Sequence, residues 1–78
     1  MICGYAERTL DKQYGLLELR EVTFSVGPDA LREIAGFLST MAEQIEAGQF
    51  STDHRHIGEV VRGWDKRNPK HDIIVAMP

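Results

Sequence analysis

Gly27-Pro28-Asp29-Ala30-Leu31-Arg32-Glu33-Ile34-Ala35-Gly36-Phe37-Leu38-Ser39-Thr40-Met41-Ala42-Glu43-Gln44-Ile45-Glu46-Ala47-Gly48 carries the strongest pattern in the chain. Leu31, Ile34, Ala35, Leu38, Met41, Ala42 and Ile45 recur every three or four residues. They form an apolar stripe roughly 120° wide, with Phe37 at its margin. Gly27 suits the N-cap, Pro28 the first helical position, and Asp29 the positive end of the helix dipole. Gly48 is placed to end the helix in a left-handed cap. The stripe reads as core. Gly36, on the outer side, costs about 0.5–1 kcal/mol relative to Ala, which points to a close approach by something else.

Upstream, the pattern changes from helical to alternating. Residues 1–8 read as a first strand with apolar groups on both parities: Ile2 and Ala6 on one face, Cys3 and Tyr5 on the other. Asp11 to Gly15 supply turn chemistry. Leu16 to Val26 is the second strand. Its apolar residues switch parity between Leu17/Leu19 and Val22/Phe24/Val26, so one extra residue near Arg20-Glu21 would return both sets to one face. The expectation is a β-bulge there, against a plain two-faced strand.

Downstream, Ile57, Val60, Val61 and Trp64 follow the i, i+3, i+4, i+7 spacing of a short second helix over about residues 54–66. Gly58 and Gly63 weaken that pattern, and an alternating strand is the other reading for part of it. Asn68-Pro69 is a stop. Asp72-Ile73-Ile74-Val75-Ala76-Met77 is a β-branched run suited to a buried strand.

The order β-β-α-(short α)-β predicts an α+β fold. The expected form is a two-layer sandwich, with the long helix on a three-stranded, mainly antiparallel sheet in order 2-1-3. Residues 1–78 make a single domain. So short a chain supports only a thin core, and self-association often supplies the missing stability. The free face or an edge strand of such a sheet is where a homodimer would be expected to form.

Composition narrows the function. The chain is 42% hydrophobic and 27% charged, which fits a folded globular domain. Its net charge is −3, without the basic excess that makes nucleic acid the default partner. No apolar run reaches the roughly 18 residues of a membrane span, and the start lacks the basic and apolar regions of a signal peptide. Cys3, the only cysteine, excludes an internal disulfide and a Cys-rich zinc module. A cytoplasmic protein is the expectation, with no membrane and no nucleic-acid partner.

Few residues invite chemistry. His54 and His56 share one side if extended, the spacing some metal sites use, but no H-E-x-x-H signature is present. Polar loop, cap or partner-contact roles suit them better, and neither a metal nor a cofactor is expected. Cys3 has no motif, the acids form no pair with separated pKa values, and no phosphate-binding loop exists. The chain does not read as an enzyme. Arg62, Trp64, Lys66, Arg67 and Lys70 mix an aromatic with bases, but Asp65 and Asp72 interrupt them, and Trp64 reads more readily as core or rim. The helix from 28 to 48 holds Asp29, Glu33, Glu43 and Glu46 against Arg32 alone, so its outer face is either simply solvated or an acidic docking surface.

Taken in order, several segments resemble a known family. They are Glu21-Val22-Thr23-Phe24, the helical Pro28 to Glu46 pattern, Asp53-His54-Arg55-His56-Ile57, Trp64 and Asp72-Ile73-Ile74-Val75. Their spacing resembles immunity protein family thirty-two of bacterial polymorphic toxin systems, over most of residues 16–77. The resemblance implies an α+β cytosolic protein that binds and neutralises a cognate toxin domain without any catalytic group. Charge alone offers Glu33, Glu43 and Glu46 of the helix face as expected partner-binding residues, and His54, His56 and Trp64, where the resemblance is sharpest, are the other contact candidates. The competing expectation is a small dimeric interaction or regulatory module with no toxin partner.

Overall fold

The computed structural model describes residues 1–77, an α+β arrangement with one long helix and antiparallel strands. Strands β1 (Ile2–Asp11) and β2 (Leu16–Phe24) form a hairpin. Its turn is held by Asp11, whose Oδ1 accepts from the backbone N–H of Gln13 at 2.8 Å. Helix α1 (Pro28–Glu46) follows. Then come β3 (His54–His56), a 3₁₀ turn (Ile57–Glu59), the single-turn helix α2 (Trp64–Arg67) and β4 (Ile74–Ala76).

The ends of α1 follow the sequence pattern. Gly27 is the N-cap in an extended conformation, and Pro28 opens the helix. At the other end Gly48 N–H donates to Ile45 O at 3.1 Å and Gln49 N–H to Gln44 O at 2.8 Å. That pair of bonds is a Schellman motif. It needs the left-handed φ of 70° that Gly48 adopts at no steric cost.

The hairpin carries the expected bulge. Tyr5 pairs with Glu21 and Ala6 with Leu19, leaving Arg20 as the extra residue. Two more register shifts follow toward the turn, with Glu7 and Leu10 as the supernumerary residues of β1. Alternation through this register puts Leu17, Leu19, Val22 and Phe24 on one face, as the parity switch required. The opposite face carries the Arg8–Glu18 ion pair (2.7 Å).

The three-stranded sheet in order 2-1-3 does not form. Among the described residues there are two separate two-stranded sheets, β1-β2 and β3-β4, both antiparallel. The last strand pairs with His54-Arg55-His56 and not with β1. The His54↔Ala76, Arg55↔Val75 and His56↔Ile74 pairs are extended by Ile57 N–H to Ile73 O (2.8 Å) and Met77 N–H to Asp53 O (3.0 Å). These backbone bonds depend on chain path and not on side-chain type, so a polar three-residue segment can be a strand.

The expected helix over 54–66 is replaced by a strand, a 3₁₀ turn and one helical turn. Gly63 interrupts it with φ 80°, a left-handed conformation that no continuous helix contains. The apolar spacing nevertheless serves the core, because Ile57 and Trp64 are buried and Val61 packs beside them.

The core is small: Ile34, Phe37 and Met41 from α1, with Ile57 and Trp64 from the C-terminal segment. Phe50, Val61, Ile73 and Val75 pack against it, as do Ile2, Val26 and Ala30. Relative to the sequence expectation the stripe is rotated. Phe37 is at its centre, while Leu31 and Leu38 are exposed. The covering layer of α1 is thus mainly residues 50–75, and the hairpin joins the core only at its Ile2 and Val26 end. The two-layer sandwich with the helix laid across the first two strands is corrected accordingly.

Candidate functional site

The six sequence candidates separate into distinct environments. Trp64 is completely buried (0% exposed), and its Nε1–H donates to His71 O at 3.0 Å. It cannot touch a partner. Of its two expected roles, core or rim residue and partner contact, the core one holds, the ring being enclosed in one cluster with Ile34, Phe37, Met41 and Ile57.

Glu33 is engaged within the fold. Arg67 donates to it through two nitrogens, at 2.5 and 2.8 Å, a fork-on-carboxylate pair that ties α2 to α1. Arg67 also donates to Arg62 O at 2.9 Å. The hydrogen bonds from Arg67 hold the Glu33 carboxyl below its ordinary value, outweighing partial desolvation, and Glu33 raises the guanidinium in return. Asp29 is engaged more loosely, by Arg32 at 3.4 Å.

Glu43 and Glu46 differ from both. They are exposed on the last turns of α1, and among the described residues no cation lies within ion-pair distance of either. The last turn contains no basic residue. Three residues apart, the two carboxylates repel each other, and both lie at the negative end of the helix dipole. The acidic face is therefore concentrated at the C-terminal end of α1.

His54 and His56 lie on β3, on the same side as their spacing requires, with ring centroids 5.2 Å apart in an edge-to-face arrangement. His54 Nδ1 is 2.8 Å from Asp53 Oδ1, and His56 Nδ1 is 2.6 Å from Asp72 Oδ2. The Asp72 hydrogen bond raises the His56 pKa above its ordinary 6.5; partial desolvation opposes it, while the charges of Asp72, Glu59 and Asp65 reinforce it. Glu59 in turn accepts from the His56 backbone N–H at 2.9 Å and pairs with Arg55 at 3.2 Å. The His56 backbone bond, ahead of Arg55, keeps the Glu59 carboxyl below its ordinary value. Among the described residues no three His, Cys, Asp or Glu side chains converge as a metal site.

This corner of Glu59, Asp65, Asp72 and His56 was not legible as a cluster, because its members come from the 3₁₀ turn, α2 and the loop before β4. Only Asp72, the first residue of the expected last strand, hinted at it. Two open hollows flank it, about 290 Å³ beside Asp65–Asp72 and about 320 Å³ over Gly58 and Arg62–Lys66. Both are at the lower limit of ligand-pocket size and both are wide open to solvent; the first is lined mainly by polar groups, while the second includes Trp64. No helix among the described residues is long and apolar enough to cross a membrane.

No family model, curated protein or solved structure matches the chain.

Proposed function

We propose that this chain is a protein-binding inhibitor of the immunity type, docking a cognate toxin domain by surface complementarity rather than by chemistry. The observation that carries this reading is the placement of Glu43 and Glu46. Two unpaired carboxylates at the negative end of a helix destabilise that end, an arrangement relieved when a basic surface covers it. A basic, nucleic-acid-cleaving toxin domain has the matching field, and opposite charges accelerate association. His54, exposed on β3, is the further contact candidate, with His56 held at its side by Asp72. Glu33 acts indirectly, by fixing the helix to α2.

The test is co-expression with the C-terminal domain of a secreted toxin, where one is encoded next to this chain. A stable complex that blocks the toxin's activity is expected. In E43K–E46K the association rate should fall at least tenfold at low salt, and the difference should shrink as salt screens it. Failure to bind or protect overturns the immunity reading; unchanged association kinetics overturn the docking surface. The alternative, a small dimeric interaction or regulatory module, is favoured if no toxin gene neighbours the chain.

A further inference from the structure

Both histidines of β3 have one ring nitrogen already engaged. His54 Nδ1 is 2.8 Å from Asp53 Oδ1, and His56 Nδ1 is 2.6 Å from Asp72 Oδ2. An ionised carboxylate only accepts, so each Nδ1 carries a proton and each neutral ring keeps its lone pair on Nε2. A carboxylate on the far nitrogen is the arrangement that orients metal-ligating histidines and raises their basicity. Two such pairs stand side by side on a strand of three residues.

Their separation suits a shared ion. The ring centroids are 5.2 Å apart. Two imidazoles bound to one tetrahedral ion at about 2.0–2.1 Å hold their ring centres about 5 Å apart. The backbone keeps the pair in place: His54 is aligned with Ala76 and His56 with Ile74, while Thr52 Oγ1 donates to His54 O at 2.7 Å. Alternation along β3 turns Arg55 away from the two rings, and its charge is taken up by Glu59 at 3.2 Å. Asp72, Glu59 and Asp65 all favour positive charge on the His56 ring, and the same field favours a cation at its free nitrogen. Both side chains are open to solvent, 50% exposed for His54 and 39% for His56.

We propose that His54 and His56 bind one divalent late first-row transition ion through their two Nε2 atoms, with Zn²⁺ the ion that fits their spacing. Imidazole donors suit such ions, whereas Mg²⁺ and Ca²⁺ take oxygen ligands. Among the described residues no third His, Cys, Asp or Glu side chain joins the pair, so water fills the remaining positions. The site is therefore exchangeable, unlike the closed four-ligand sites that hold a fold together. Its ligands are set by the β3-β4 backbone bonds, and removing the ion leaves the fold intact. The inference does not rest on the immunity reading, and its test uses the chain alone.

Isothermal titration of Zn²⁺ into the intact chain, purified without a histidine tag, is that test. One ion per chain is expected, with no binding of Mg²⁺. H54N and H56N should each weaken Zn²⁺ binding at least about tenfold, and D72N, which leaves both ligands in place, by about 10–100-fold. H71N removes the remaining histidine and should change nothing. Absence of Zn²⁺ binding by the parent, one ion per two chains, or an equal loss in H71N overturns the proposal. Where a variant fails to fold by circular dichroism, the histidine ring resonances of the parent decide. Zn²⁺ should move those of His54 and His56 together and leave His71 in place; movement of one ring alone refutes the shared site.

Discussion

Trp64→Phe isolates what the C-terminal segment contributes to stability. The indole is fully enclosed, and its N–H is bonded to His71 O at 3.0 Å. Phenylalanine removes one ring's worth of volume, about 35–40 Å³, which at about 24 cal/mol per Å³ of residual cavity costs about 1 kcal/mol. It also leaves the His71 carbonyl without its donor, about 1–2 kcal/mol for a half-buried group. The sum, about 2–3 kcal/mol, is set against a total of about 4–12 kcal/mol for a chain this size. With a urea slope near 1 kcal/mol/M, the midpoint should fall by about 2–3 M. The assay is urea unfolding followed by helical circular dichroism, at one chain concentration because self-association also moves the midpoint. In the parent, fluorescence of the single tryptophan should be that of a shielded indole and shift red on unfolding. A W64F midpoint within about 0.5 M of the parent refutes the packing argument.

Three other outcomes follow from the same geometry. His56 has its folded pKa raised by Asp72, so its contribution to stability is complete below its ordinary value and is lost as pH rises through the folded one; the urea midpoint should decline over that interval, and D72N should flatten the decline. Glu33 has its folded pKa lowered by Arg67, so its contribution is present above its ordinary value and lost as pH falls through the folded one; E33Q should remove that part of the acid limb in the same titration. Gly36 is exposed on α1, and a methyl group added there would meet nothing within 4 Å, so G36A should stabilise the chain by about 0.5–1 kcal/mol in urea unfolding. Loss of toxin binding in G36A, with stability gained, would show that the close approach expected from the sequence comes from a partner.

Short-range features were legible because their causes are short-range. The Gly27-Pro28 start of α1, its Gly48 end and the Arg20 bulge each rest on a few neighbouring residues: a cap, a left-handed turn and a switch of parity. The histidine pair was legible in the same way, since period-2 spacing alone places His54 beside His56. What β3 and β4 do was not, because His54-Arg55-His56 has no strand composition and forms a strand only when residues 73–77 arrive alongside. Trp64 read as core or rim and also as a contact candidate, a choice made only by its full enclosure, and the Glu33 carboxylate read as free until Arg67, 34 residues away, was placed upon it.

From the residues in order came an α+β chain, one amphipathic helix of nearly known limits, a bulged hairpin and an acidic helix surface. Only the folded arrangement decided which side of that helix became interior, which acids stayed unpaired and which β face was left open. The reason is one of range: periodicity and capping act within a few residues, while burial and ion pairing depend on what distant segments bring into contact. Phe37 rather than Leu38 occupies the centre of the core because Ile57 and Trp64 meet the helix on that side.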